Sequence, residues 1–167
     1  MLEASKTLLI VYHSLTGATQ QIAAAAAQGA GCDSAVEVRL LKAADTRAED
    51  VLRADGYIFA TPENLAAMSG LMKDFFDRTY YPALERLNGR PYATLICAGS
   101  DGSNAAQQIA RIALGWRLKA IAEPIIVSTR ATTPEQILAQ KQLSAAQLAP
   151  CEELGKTMAS GLAVGIF

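Results

Sequence analysis

The sequence predicts an α/β chain in which an open parallel sheet carries helices on both faces. Short apolar runs alternate with longer helical stretches along its 167 residues, the order that right-handed strand–helix–strand crossovers produce. Most of these runs lack strict apolar/polar alternation, as strands covered on both faces should. No internal repeat, Gly/Ser linker or long charge run divides the chain, so one domain spanning 1–167 is expected.

The first strand is "TLLIVY" (7–12), followed by a helix rich in alanine, a strong helix former, at 23–27. In "AVEVRLL" (35–41), Glu37 and Arg39 alternate with Val36, Val38 and Leu40, which marks a half-exposed edge strand. Thr46 with Glu49 three residues on predicts a capping box. The third strand is "GYIFAT" (56–61). From Ser69 onward Leu71, Met72, Phe75, Phe76 and Tyr80 recur at helical spacing as a core face, and Pro82 disfavours further helix at Tyr81. "YATLICAG" (92–99) is the fourth strand, and a helix over about 103–118 turns Ile109, Ile112, Ala113 and Trp116 to one side. "AIAEPIIV" (120–127) is the fifth strand. Thr133, Pro134 and Gln136 supply an N-cap, a first-turn proline and a box partner, and the helix they open is expected to break near Pro150.

Apolar residues make up 51% of the chain and charged residues 19%, the balance of a soluble globular protein. Fifteen basic and sixteen acidic residues leave a net charge of −1, so no overall field recruits nucleic acid or an anionic membrane. A small-molecule ligand is the better expectation. Cys32, Cys97 and Cys151 are odd in number and form no CxxC pair, and the chain has a single histidine. They read as reduced thiols of a cytoplasmic protein, not as a disulfide frame or a zinc site. The leading run "MLEASKTLLIVY" is too short for a signal peptide or a membrane span.

Chemistry is expected at the carboxyl edge of the sheet, where open α/β sheets bind ligands. There "YHSLTGATQQIA" (12–23) ends a strand and opens a helix with Ser14, Thr16, Thr19 and Gly17, and with no lysine or arginine. A helix start offers unpaired amides and the positive end of a dipole, so phosphate is the natural guest. Neither GxGxxG nor GxxxxGK[ST] is present. Backbone amides and hydroxyls must hold the anion by themselves.

"SLTGAT" resembles the phosphate loop of flavodoxin-like proteins, a [ST]-x-T-G-x-T pattern after the first strand that holds the phosphate of FMN in that family. The resemblance implies a three-layer sandwich with strand order 2-1-3-4-5. It implies that Ser14, Thr16 and Thr19 donate side-chain hydrogen bonds, that the amides of Leu15, Thr16, Gly17, Ala18 and Thr19 surround the anion, and that Gly17 lets the backbone approach closely. "TPENLAAMSG" (61–70) and "AGSDGSN" (98–104) stand where the family grips the isoalloxazine ring. In the first, Thr61, Glu63, Asn64 and Leu65 are implied as amide donors, with the Asn64 side chain towards the nitrogen edge of the ring and Pro62 stiffening the start of the loop. In the second, the amides of Gly99, Ser100, Asp101 and Gly102 meet the polar edge of the flavin, with Ser100 or Asp101 turning the loop. Each loop alone is an ordinary turn; the coincidence of three is informative.

Family members are either low-potential carriers that dock on proteins or oxidoreductases that pass electrons from NAD(P)H through FMN to a small acceptor such as a quinone. Carriers are typically strongly acidic and stack aromatic side chains on the ring, whereas this chain is near neutral and has no Trp, Tyr or Phe in 61–70 or 98–104. A ring with an uncovered face admits a nicotinamide or a quinone, which favours the enzyme. "PENLAAMSGLMKDFFDRTYYP" also looks like the corresponding segment of NADPH-dependent FMN reductases and related quinone reductases. A carrier or a noncatalytic FMN-binding module stays open as the alternative.

No side chain is expected as a nucleophile. His13 reads as a packing or hydrogen-bonding residue and Cys97 as a small core residue. Tyr80 and Tyr81 offer a subunit contact in a homo-oligomer or a lip over the flavin, with helix-end packing the plainer account. A receiver domain needs acids and a lysine where Tyr12-His13, Thr61-Pro62 and Ser128-Thr129 stand, and no cysteine begins a Cys-x5-Arg phosphatase loop.

Overall fold

The computed structural model describes residues 5–167; residues 1–4, at the head of the leading run "MLEASKTLLIVY", lie outside the described residues. Strands β1 (Lys6–Tyr12), β2 (Val36–Lys42), β3 (Gly56–Asn64) and β5 (Pro91–Ala98) pair in parallel in the order β2-β1-β3-β5, and two short pieces, β6 (Lys119–Ala120) and β7 (Ile125–Ser128), complete the far edge. This is the 2-1-3-4-5 order of a flavodoxin-like sheet. The predicted fifth strand is interrupted. β6 pairs with Pro91 and Tyr92 and β7 with Leu95 to Ala98, so Ile121, Ala122, Glu123 and Pro124 stand opposite only Ala93 and Thr94. Pro124 has no N–H to give the ladder, and the extra residues bulge out at an edge where no further strand suffers.

Alternate side chains of each strand feed two different cores. Leu8, Ile10, Ile58, Ala60, Leu95 and Cys97 face α1 (Ala18–Ala30) and α6 (Ala145–Val164). Leu9, Val11, Tyr57, Phe59, Tyr92 and Ile96 face α2 (Ala48–Arg53), α3 (Gly70–Ala83) and α4 (Ser103–Gly115). The second core is aromatic: Phe59 lies 5.2 Å from Phe76, 6.2 Å from Phe75 and 6.4 Å from Trp116, centroid to centroid. Burying one such ring contributes about 1.5–3 kcal/mol. Of the predicted core stripe on α3, Met72, Phe75 and Phe76 are buried and Tyr80 packs partly against them, whereas Leu71 stands 45% exposed at the helix start; β2 is the half-exposed edge strand its alternation foretold.

Helix boundaries depart from the sequence reading in three places, each for a local reason. Thr46 does not cap α2: its hydroxyl donates to the Lys42 carbonyl at 2.8 Å, closing the 3₁₀ turn Ala43–Asp45, and the cap moves to Arg47, whose amide donates to Asp50 at 2.8 Å. α3 runs through Pro82 to Ala83, because a proline in the final turn removes one bond to the Arg78 carbonyl and no more. The C-terminal helical stretch breaks over 139–144 and not at Pro150, which sits exposed inside α6. α5 (Pro134–Leu138) precedes that break, capped as predicted by Thr133, whose hydroxyl accepts from the Gln136 amide at 3.3 Å. Residues 129–143 consequently form a strap across the carboxyl edge of the sheet.

Candidate functional site

The loop after β1 is held at both ends. The His13 amide donates to the Ala60 carbonyl at 3.1 Å, and Gly17 caps α1 with φ 92°, a left-handed conformation that side chains resist. The Gly17 amide is engaged by the Ser14 hydroxyl oxygen at 3.1 Å, which leaves that hydroxyl its own proton to donate. The amides of Ser14, Leu15, Thr16, Ala18 and Thr19 and the Thr16 hydroxyl make no hydrogen bond with the described residues. Of the predicted amide donors, then, Gly17 is occupied internally and the other four are free, with Ser14 added. Unpaired donors converging on a helix start are what a phosphate requires.

The segment 61–70 is not an open loop. β3 continues to Asn64, turns at Leu65 and Ala66, and returns as β4 (Ala67–Met68), a two-residue hairpin with φ 50° and 60° at its tip. Such turns prefer Asn-Gly, and Leu-Ala gave no hint of one. The hairpin is fastened to the start of α4. Glu63 accepts from the amides of Gly102 and Ala105, each at 3.0 Å, its carboxylate resting at the positive end of the helix. Gln108 accepts from the Met68 amide at 2.9 Å, and the Asn104 side chain donates to the Ala66 carbonyl. In the loop before α4, Asp101 accepts from both the amide and the hydroxyl of Ser103. Asp101 is thus the residue that turns the loop, and the Gly102 amide is taken by Glu63.

One cavity joins these parts. Its lining includes Ser14, Leu15, Thr16, Ala18, Thr19, Pro62, Glu63, Asn64 and Gly99, so nine of the residues singled out from sequence meet there. Thr61 is fully buried, with its hydroxyl bonded to Ser69 and the Pro62 carbonyl; Leu65 is fully exposed at the hairpin tip, and Ser100, Asp101 and Gly102 lie beyond the cavity wall. The remaining wall comes from Cys97 and Ala98 and from the strap, through Thr129, Ala131, Ile137 and Lys141. Sequence reasoning missed these four, because nothing local marks a segment more than a hundred residues downstream as a neighbour of loop 14–19. The strap is tightly seated: a Cβ on Gly99 would stand 2.3 Å from the Ala131 carbonyl oxygen, and the Lys141 amide donates to the Thr16 carbonyl at 2.8 Å.

The cavity is open on one side and has a volume of about 70 Å³. It has room for a small anion such as a phosphate group, whereas pockets for whole cofactors run to about 300–1,000 Å³. The unpaired donors of loop 14–19 would hold a phosphate in that space. No Trp, Tyr or Phe lines the cavity. The residues present therefore fit the phosphate end of FMN, with unpaired donors and room for the anion. Among the described residues no cluster of His, Cys, Asp and Glu is arranged for a metal ion, and no helix is long and apolar enough to cross a membrane.

Burial decides the titration of the groups around the cavity. It pushes the Cys97 thiol up to about 12, against a partial offset from the Thr19 hydroxyl, and the Cys151 thiol up to about 11, so both stay protonated and unreactive. Burial also lowers the His13 pKa below 6.5, and Nδ1 of His13 is buried without a partner among the described residues. Below pH 6.5 the unfolded chain therefore binds a proton that the folded chain refuses, and stability falls as pH drops from 6.5 towards the folded value. His13→Gln is expected to flatten that part of the profile: between pH 7.5 and 5 its denaturation midpoint should fall less than that of the wild type. Equal losses would remove His13 as the source.

A family model for the NADPH-dependent FMN reductases matches residues 32–132, and the chain belongs to that family. The match takes in the hairpin and loop 99–102 but starts after loop 14–19, so the phosphate-loop geometry is separate support. A flavodoxin of Aquifex aeolicus is 33% identical over 95 residues, 57% of this chain and 51% of that protein. An NAD(P)H dehydrogenase (quinone) of Acidithiobacillus ferrooxidans is 33% identical over 92 residues, 43% of this chain and 46% of that protein. The chain spans about half the length of the curated relatives it matches. Among solved structures, a flavodoxin from the domain Archaea superposes with a TM-score of 0.75 over 93% of this chain and 98% of its own, at 19% identity. A WrbA-like flavodoxin of Agrobacterium tumefaciens gives 0.65 over 96% and 99%, at 21% identity. At these identities the likeness is one of fold.

Proposed function

We propose that the chain, acting as one flavin-binding unit, holds FMN in loop 14–19 and passes electrons from NAD(P)H through it to a small acceptor such as a quinone. The observation that carries this reading is that the five residues of loop 14–19 with unpaired amides, Pro62 to Asn64 of the fastened hairpin and Gly99 line one cavity at the carboxyl edge of the sheet. The flavin, when bound, supplies the hydride and electron chemistry. The chain's own part is to anchor and orient. Ser14, Leu15, Thr16, Ala18 and Thr19 hold the phosphate, while Pro62, Glu63, Asn64, Leu65 and Gly99, Ser100 and Asp101 border the ring. With no Trp, Tyr or Phe in 61–70 or 98–104, one ring face would stay open for nicotinamide and acceptor in turn.

Steady-state oxidation of NADPH and of NADH by the FMN-loaded protein, with a quinone as acceptor, tests the reading. Turnover with at least one nucleotide is expected. The identity to the Aquifex aeolicus flavodoxin favours an electron carrier as the second reading. Loaded protein that ignores both nucleotides yet accepts electrons from a protein donor would establish the carrier instead.

A further inference from the structure

We propose that Lys141, carried by the strap, is the counter-charge for the anion held in loop 14–19. The inference rests on the FMN reading above and assigns it a residue that loop 14–19 does not contain. No lysine or arginine occurs between Tyr12 and Ala23, and loop amides carry only partial charges. The fold delivers the missing cation from elsewhere. The Lys141 amide donates to the Thr16 carbonyl at 2.8 Å, and the Lys141 carbonyl accepts from the Gln21 side chain at 2.8 Å. That same amide group donates to the Gly17 carbonyl at 3.0 Å, and Gln21 Oε1 accepts from Leu143 at 2.9 Å. The side chain of Lys141 thus springs from a backbone bolted to the phosphate loop itself.

Its ammonium donates to the carbonyls of Ile137 at 3.0 Å and Ala139 at 2.6 Å. Ile137 and Lys141 both line the cavity. An ammonium has three donors, so one remains for a guest, and no carboxylate among the described residues pairs with it. Glu63, the acidic residue of the lining, has both carboxylate oxygens engaged by α4 amides. Two neutral carbonyls of the strap hold the ammonium of this cavity-lining residue, and a phosphate dianion bound there attracts it far more strongly than they do.

A capping role at the end of α5 would act on the strap as a whole, whereas a counter-charge acts on the phosphate alone. FMN and riboflavin differ by that phosphate and separate the two. Flavin fluorescence titrations of the apoprotein, at low and high salt, compare the wild type with Lys141→Gln and Lys141→Arg. We expect Lys141→Gln to weaken FMN about tenfold, to leave riboflavin unchanged, and to reduce the salt dependence of FMN binding; Lys141→Arg should restore most of the affinity. FMN and riboflavin weakened alike, or FMN unchanged, overturns the inference and leaves the flavin reading standing. A wild type that binds neither flavin overturns both.

Discussion

Gly155→Ala is expected to destabilise the protein by about 3 kcal/mol and to lower Tm on the order of 10 °C, although helix propensity alone would raise stability by about 1 kcal/mol. The sign reverses because α1 and α6 touch backbone to backbone. A Cβ on Gly155 would lie 1.9 Å from the Ala26 carbonyl oxygen, and one on Gly29 would lie 1.9 Å from the Glu152 carbonyl oxygen. Neither obstacle is a side chain that can swing aside, so the helices must part along a seam of Ala23, Ala26, Ala30, Met158 and Ala159, all buried. Because α1 begins in loop 14–19, its displacement also moves the free amides away from the strap. Denaturant midpoints and melting curves check the effect; a Tm at or above that of the wild type would show that the helices are not in backbone contact.

Glu63→Ala is expected to weaken FMN binding about thirtyfold, near 2 kcal/mol, and rests on the flavin reading. Each oxygen of this carboxylate accepts one α4 amide at 3.0 Å, which makes it the charged bolt between the hairpin and loop 99–102. Its removal strands two donors at a helix start and takes an anion from the positive end of the dipole. The bonds from Met68 to Gln108 and from Asn104 to Ala66 remain, so the loops keep their places but lose rigidity. Glu63→Gln, which preserves one acceptor oxygen, should fall between the two. Flavin titration with a parallel melting curve measures both consequences; unchanged FMN affinity in Glu63→Ala would mean that the hairpin is positioned by its other ties.

Glu63 also shows how far the sequence reaches. "PENL" after the third strand marks a ring-side loop by resemblance, and Glu63 does line the cavity. Its fastening role depends on α4, whose start was legible while its approach to the hairpin was not. Thr46 was misread for a similar reason: Thr and Glu three residues apart make a capping box only if the hydroxyl is free, and here the preceding 3₁₀ turn takes it. Leu65 and Ala66 turned a predicted loop into a hairpin without the residues that usually announce one.

By itself the sequence determined the alternation of strands and helices, the exposed edge at β2, the aromatic core stripe on α3 and the loop of hydroxyls and glycine after β1. These are written in residue spacing and turn chemistry, which act over a few positions and survive without knowledge of the rest. Only the tertiary structure decided that the fifth strand splits, that the strap of 129–143 roofs the cavity, and that Lys141 stands beside a loop with no cation of its own. Such placements follow from packing between segments far apart in the chain, such as Gln21 and Leu143, 122 residues apart, and no local pattern records which distant surfaces will meet.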